Sequence, residues 1–146
     1  MAAFAVAVEC GVDGLELDIH LSRDGVPVVI HDETLDRTTA GHGRVRGKSW
    51  SQLRRLDAGS WFYLQYSNER VPALSEVLER VNSRIYINIE IKSDAYESHH
   101  PPDAIEKQVV EMLRQKSLLD TSIISSFNVD ILEQIAFMKD PPAIAF

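Results

Sequence analysis

Glu16 and Asp18 lie two residues apart in a run, Leu15 to His20, that alternates apolar and polar residues. In a β-strand successive side chains point to opposite faces, so both carboxylates share one face, together with His20. Two such charges repel each other and are costly to bury unless a cation compensates. Carboxylate oxygens are preferred ligands of hard divalent ions. The pair therefore predicts a metal site if this face is interior. On alternation alone, ordinary acidic residues on an exposed strand are the favoured interpretation.

The segment Ile85 to Lys92 shifts the balance towards an interior site. Its four isoleucines line one face, while tyrosine, asparagine, glutamate and lysine line the other. In a parallel barrel helices cover the outer face, so the isoleucines are expected to point outwards and the polar residues inwards. Glu90 is then placed to join Glu16 and Asp18 as a third oxygen ligand, and Lys92 to hold an anionic group. The alternative is a structural Glu-Lys pair on an exposed strand.

His31 ends a short β-branched segment, Pro27 to His31, immediately before Asp32. An imidazole near the carboxyl ends of barrel strands can act as a general acid or base. A lone histidine is as often only a structural polar residue, so both interpretations stay open. His20 shares the acidic face and could support the ligands. The remaining histidines are weaker candidates expected outside the site, in loops: His42, His99 and His100.

These residues must be positioned by alternating strands and helices. Strands are predicted over 15–20, 27–31, 85–92, 122–127 and 143–146, and helices over 2–10, from Ser49, over 74–81, from a cap at Asp103 and over 130–139. This alternation favours an α/β fold with parallel strands. Only about six residues separate the first two strands, whereas a parallel crossover usually needs a dozen or more. Either that crossover lacks its helix or the two strands form a hairpin.

Composition limits the classes of function. The chain has 146 residues and a net charge of −7, which argues against non-specific binding to nucleic acid or to an anionic membrane. No apolar run approaches the ~18 residues of a membrane span. The segment Met1 to Val8 is predicted to be a core helix rather than a signal peptide, so a cytoplasmic location is the default expectation. The lone Cys10 is expected to be a small buried residue.

A series of motifs resembles one enzyme family in both order and spacing. The motifs are Gly14-Leu-Glu-Leu-Asp18, Asp24-Gly-Val-Pro-Val-Val-Ile-His-Asp32, Thr34-Leu-Asp-Arg-Thr-Thr39, Leu56-Asp-Ala-Gly-Ser-Trp-Phe62, Val71-Pro-Ala-Leu-Ser-Glu-Val-Leu78 and Asn88-Ile-Glu-Ile-Lys92. Through nearly its whole length the chain resembles the glycerophosphodiester phosphodiesterases in these motifs.

The resemblance implies a partial TIM-type (β/α) barrel of the phospholipase C-like phosphodiesterase kind, occupying residues 1–146, with an inserted segment at about 32–70. It implies that Glu16, Asp18 and Glu90 bind a divalent metal, Mg²⁺ or Ca²⁺. It also implies that His31 is one of two catalytic histidines and that Lys92 contacts the phosphate. The implied reaction is hydrolysis of a glycerophosphodiester to glycerol 3-phosphate and an alcohol.

The chain departs from the family pattern at both ends. The family carries a His-Arg-Gly motif, with the other catalytic histidine, on a first strand that precedes the helix at Ala2, and two last strands that follow Phe146. We therefore expect impaired activity and, through open barrel edges, self-association. The alternatives are a non-catalytic metal- or phosphodiester-binding fragment and an unstable relic without function.

Overall fold

The computed structural model of the chain describes residues 1–81 and 85–146, in which helices and strands alternate as the sequence predicts. Short 3₁₀ turns occupy Val45–Gly47, Leu64–Tyr66, Ser93–Ala95 and Leu119–Thr121. The helices and strands are, in chain order, α1 (Ala2–Glu9), β1 (Gly14–Leu21), β2 (Pro27–Val29), α2 (Trp50–Leu53), α3 (Leu74–Leu78), β3 (Tyr86–Ile91), α4 (Ile105–Gln115), β4 (Ser122–Ser125), α5 (Val129–Ala136) and β5 (Ala143–Ala145).

Within these residues the strands form one sheet in the order β2-β1-β3-β4-β5. β1, β3, β4 and β5 run parallel, and β2 pairs with β1 in the antiparallel direction. The α/β class is thus confirmed, and of the two alternatives for the first strands the hairpin is correct. Its turn uses Gly25 at φ 78°, a conformation that glycine adopts without steric cost, and Val26 N–H donates to Ser22 Oγ over 2.9 Å.

The main hydrophobic core lies on the outer face of the sheet. The isoleucines of β3 are buried there against the apolar faces of α3 and α4, as the sequence pattern predicts. On the opposite face of the same strand Tyr86 is exposed, and Asn88 and Glu90 are half-buried. Because side chains alternate along a strand, burial of one face leaves the polar residues of β1 and β3 together on the other.

The segment 32–70 packs on a smaller core that it shares with the residues on either side of it. This cluster consists of Val28, Ile30, Leu35, Val45, Leu53 and Val71. The two ends of this segment lie side by side at the edge of the sheet. Val29 N–H donates to Pro72 O over 2.8 Å, and Val28 forms an isolated bridge with Ala73. The predicted helix start at Ser49 is correct, and Gln52 Oε1 accepts a hydrogen bond from the Ser49 N–H over 2.9 Å. Residues 32–70 are therefore packed on a core that is separate from the main one.

Three local predictions are wrong. α1 is not a core helix, because it rests on the core through one side only and none of its residues is fully buried. Cys10, at its C-terminal end, is exposed for the same reason. α4 is preceded by Ala104 rather than capped by the side chain of Asp103. In the described part of the chain, helices are too short or too polar to cross a lipid bilayer.

Candidate active site

The structure brings together the three acidic residues that the sequence patterns singled out. β1 and β3 pair so that Asp18 lies beside Glu90 and Glu16 beside Asn88. Each of Glu16, Asp18 and Glu90 offers a carboxylate oxygen, and these oxygens lie within 4.8 Å of one another. The parallel register of β1 and β3 therefore places Glu90 beside the Glu16 and Asp18 pair, and the three carboxylates form one cluster.

Lys92 lies among these carboxylates. Its Nζ atom is 2.6 Å from Asp18 Oδ1 and 2.6 Å from Glu90 Oε1. Burial alone would lower the pKa of Lys92, but these two contacts raise it above its ordinary value. The lysine is thus held as a cation at the point where β3 ends, within the acidic cluster.

The cluster carries more negative charge than Lys92 balances. Burial, followed by the charges of Asp18 and Glu90, raises the pKa of Glu16, while the smaller effects of Lys92 and His31 oppose this. Three carboxylates against one ammonium leave two negative charges, which is the charge that a divalent cation neutralises. Oxygen ligands of this kind suit Mg²⁺ and Ca²⁺. The residues present therefore fit a divalent metal.

His31 lies just beyond β2, with its side chain 67% exposed. Its Nδ1 is 2.7 Å from Asp32 Oδ1, and Arg37 donates to both oxygens of the same carboxylate over 2.7 and 2.6 Å. These bonds from Arg37, with the contact to His31, hold the pKa of Asp32 well below its ordinary range. The Asp32 anion orients the ring through Nδ1–H, which leaves Nε2 available for proton transfer.

His20 occupies a different environment from His31, since its side chain is only 2% exposed. Its Nδ1 lies 2.7 Å from Asp94 Oδ1, and its Nε2 lies 3.2 Å from the carbonyl oxygen of His31. Burial tends to raise the pKa of Asp94, but its contact with His20 and smaller effects leave that pKa below its ordinary value. The imidazole therefore connects the end of β2 with the turn that follows β3.

Sequence reasoning missed three residues that support this site: Asp32, Arg37 and Asp94. The adjacency of Asp32 to His31 was the available signal for the first. Nothing in the spacing of Asp94 indicates that it contacts His20, because the two are joined only by the folded sheet. The histidines assigned to loops lie outside the site; His42 contacts Asp36 at 3.1 Å, and His99 and His100 are exposed.

A parallel sheet covered by helices, with an acidic cluster on the polar face of neighbouring strands, defines an α/β protein of the barrel-related class. Solved structures of this class resemble the chain closely. The Oleispira antarctica phosphodiesterase in complex with the product sn-glycerol-3-phosphate matches with a TM-score of 0.85 and 32% identity, over 98% of this chain and 57% of that one. A glycerophosphodiester phosphodiesterase from Agrobacterium tumefaciens matches with a TM-score of 0.79 and 35% identity, over 90% and 53%.

The chain belongs to the glycerophosphoryl diester phosphodiesterase family, whose profile matches residues 1–146. It is 43% identical over 129 residues to the glycerophosphodiester phosphodiesterase of Caldanaerobacter subterraneus subsp. tengcongensis, which covers 88% of this chain and 51% of that protein. The chain spans about half the length of the curated relatives it matches. The family resemblance recognised in the sequence is thereby confirmed.

Proposed function

We propose that the chain carries the metal-binding part of a site that hydrolyses glycerophosphodiesters to glycerol 3-phosphate and an alcohol. Glu16, Asp18 and Glu90 would hold Mg²⁺ or Ca²⁺, which supplies neutralisation of phosphate charge. His31 acts in proton transfer and Lys92 contacts the phosphate. Support comes from the family membership and from a relative whose solved structure contains sn-glycerol-3-phosphate.

The observation that carries this proposal is the convergence of three carboxylates and Lys92 on one face of β1 and β3. Ordinary acidic residues on a protein surface have no reason to be aligned across two strands around a half-buried lysine. An excess of two negative charges at one point is unfavourable without a cation, so the arrangement is explained by binding and not by stability. Lys92, at 20% exposure, can turn from the carboxylates towards a phosphate oxygen.

In the proposed reaction a water oxygen forms a bond to phosphorus and the ester P–O bond to the alcohol breaks. The proton of the water leaves as the new bond forms, and the departing alcohol oxygen gains a proton. His31 Nε2 exchanges one of these protons, since Asp32 fixes Nδ1. The ammonium of Lys92 stabilises the charge that develops on the phosphoryl oxygens.

The test is release of glycerol 3-phosphate from glycerophosphocholine by the purified chain with Mg²⁺ or Ca²⁺. EDTA should stop the release, and Glu16→Ala should abolish it because the variant lacks one metal ligand. Glu9→Ala removes an exposed carboxylate at the end of α1 and serves as the matched control. Full activity in Glu16→Ala would show that the metal assignment is wrong.

A second function, metal or phosphodiester binding without turnover, is favoured by one feature. Hydrolysis involves two proton transfers. In the part of the chain that the structure describes, this site has one histidine with an exposed ring, His31, because His20 is buried. Loss of one acid–base partner typically costs ~10²- to 10⁴-fold in rate. Binding of Ca²⁺ measured by titration calorimetry, with no product release from the folded chain, would support this second function over hydrolysis.

A further inference from the structure

We propose that His20 is a positioning residue that fixes the backbone of His31 and the turn after Lys92 relative to the acidic cluster. The inference rests on the proposed function, because it assigns His20 a role in the same site. His20 itself faces away from solvent, at 2% exposure, so it acts through its neighbours and not on the substrate.

The first contact lies at the end of the hairpin. The pairing of β1 with β2 begins at Ile19 and Val29, and Ile30 N–H extends it by donating to Asp18 O over 3.1 Å. His31 follows, and its carbonyl oxygen lies 3.2 Å from His20 Nε2. A carbonyl oxygen can only accept, so Nε2–H is the donor. The imidazole thus continues the attachment of this backbone to β1 past the end of the strand.

The second contact lies beyond β3. Asp94 follows Lys92 by two residues, in the 3₁₀ turn Ser93–Ala95, and its Oδ1 is 2.7 Å from His20 Nδ1. Arg46 also donates to this turn, from its guanidinium to the carbonyl oxygen of Asp94 over 2.9 Å. The same guanidinium pairs with Glu97 at 2.7 Å. His20 and Arg46 therefore both contact this turn.

Both contacts bear on catalysis because they set the distance between His31 and the carboxylates. His20 reaches an oxygen on each side, one after β2 and one after β3, and lies two residues from Asp18 on the same strand face. An apolar ring in its place removes the Nε2–H donor from the His31 carbonyl and the close Nδ1 contact from the Asp94 carboxylate. A shift of about 1 Å in a reacting group can cost about 10²-fold in rate, even when its origin is outside the reacting atoms.

Three substitutions separate the two contacts: His20→Phe, His20→Gln and His20→Asn. The phenyl ring removes both ring nitrogens at similar volume. A glutamine amide nitrogen replaces Nε2, and an asparagine amide nitrogen replaces Nδ1. In the glycerol 3-phosphate assay with saturating metal, we expect His20→Phe to lower kcat about 10²-fold with little change in KM. His20→Gln should recover more of kcat than His20→Asn, since it keeps the bond to His31.

Controls separate positioning from folding. His42→Asn alters an exposed histidine outside the site and should leave kcat unchanged. The assay is run below the melting temperature of each variant, which circular dichroism measures. A His20→Phe chain that melts earlier but keeps its kcat would overturn the proposal, as would equal recovery by glutamine and asparagine.

Crystal structures of the variants decide the question without turnover. We expect the His31 ring in His20→Phe to be displaced from the three carboxylates, and in His20→Gln to stay in place. An unmoved ring in His20→Phe would overturn the role of His20. If the parent chain releases no glycerol 3-phosphate, hydrolysis by this chain fails, while the position of His31 still tests His20 separately.

Discussion

The two parts of the candidate site are held by different means. The carboxylates of Glu16, Asp18 and Glu90 project from adjacent parallel strands whose outer faces are buried in the main core. His31 lies after β2 and is held by side chains. Asp32, itself paired with Arg37, contacts the His31 ring, and His20 contacts the His31 carbonyl oxygen. The first part is fixed by a ladder of backbone hydrogen bonds, and the second by a few polar contacts.

This difference predicts that the two parts can be damaged separately. A change at the carboxylates should remove cation binding and leave the His31 region in place. A change among the polar partners of His31 should reduce proton transfer and leave cation binding intact. Substitutions in each part, and in the two cores beneath them, test this separation.

The largest effect is expected from Asp18→Ala. It removes one oxygen ligand and one of the two carboxylates that hold Lys92. Loss of an outer hydrogen-bond partner of a metal ligand costs about 10- to 100-fold in affinity, so loss of a ligand should exceed about 10²-fold. Calorimetric titration with Ca²⁺ measures the change, and Asp13→Ala, an exposed aspartate before β1, is the control. Unchanged affinity would contradict the assignment of Asp18.

The two cores should differ in which region they stabilise. Ile89 and Leu53 are both fully buried, one in the main core and one in the cluster beneath 32–70. Each change to alanine should cost about 2–5 kcal/mol, because it removes buried methyl groups and leaves a cavity. By hydrogen exchange, Leu53→Ala should loosen residues 32–70 and spare β1 and β3, whereas Ile89→Ala should loosen the sheet.

A milder substitution provides the control for these core variants. Ile89→Val removes a single methylene and should cost only about 0.5–1.5 kcal/mol in urea unfolding. Equal loosening of both regions by Leu53→Ala would show that the sheet and residues 32–70 unfold as one unit.

Asp32→Asn should lower kcat about 10- to 100-fold while Ca²⁺ affinity stays within a few-fold, since general acid–base catalysis is worth about 10²-fold or more. The amide keeps the shape of Asp32 but removes the charge that orients Nδ1–H of His31 and pairs with Arg37. Asp36→Asn changes a nearby exposed aspartate and is the comparison. If Asp32→Asn weakens Ca²⁺ binding as much as Asp18→Ala does, the two parts are not separable.

The smallest effect is expected in the pH dependence of stability. Hydrogen bonds from the Ser60 hydroxyl, the Ser60 N–H and the Gly59 N–H lower the pKa of Asp57 to about 2, from an ordinary value of 3.8. A lowered carboxyl pKa stabilises the folded state above the unfolded value, and this contribution is lost as pH falls from about 4 to about 2. Asp57→Asn should therefore lose less thermal stability between pH 6 and pH 3 than the parent chain.

Asp120→Asn, at an exposed aspartate, is the matched control for that experiment. The pKa of Asp32 is also lowered, so some acid dependence should persist in Asp57→Asn. An identical fall in the melting temperature of Asp57→Asn and the parent chain would contradict the contribution of Asp57.

The strand-borne part of the site could be predicted from the sequence because two short-range patterns sufficed. Alternation places Glu16 and Asp18 on one face, and the isoleucines of β3 identify the buried face opposite Glu90. Parallel pairing then requires only the correct register to bring these residues together. The hairpin of β1 and β2 was one of two alternatives that the short connection left open, and the structure decides between them.

The contacts around His31 could not be predicted in this way. The pairing of His20 with Asp94 joins β1 to the turn after β3 through a buried ring, and no periodic pattern marks it. Arg37 reaches Asp32 across a loop whose course depends on the small core beneath 32–70. The burial of α1 was overestimated because an apolar composition does not show how many sides of a helix are covered.

The bridge between Val28 and Ala73 fixes both ends of the intervening segment at the sheet. The geometry of the sheet therefore does not depend on the length of that segment. Since its two ends already touch, lengthening or replacing this segment adds little closure entropy, which rises only slowly with loop length. The register of Asp18 with Glu90 stays unchanged by such an exchange. The molecule is thus modular in its construction: residues 32–70 can change in length while the carboxylates of Glu16, Asp18 and Glu90 keep their positions on the sheet.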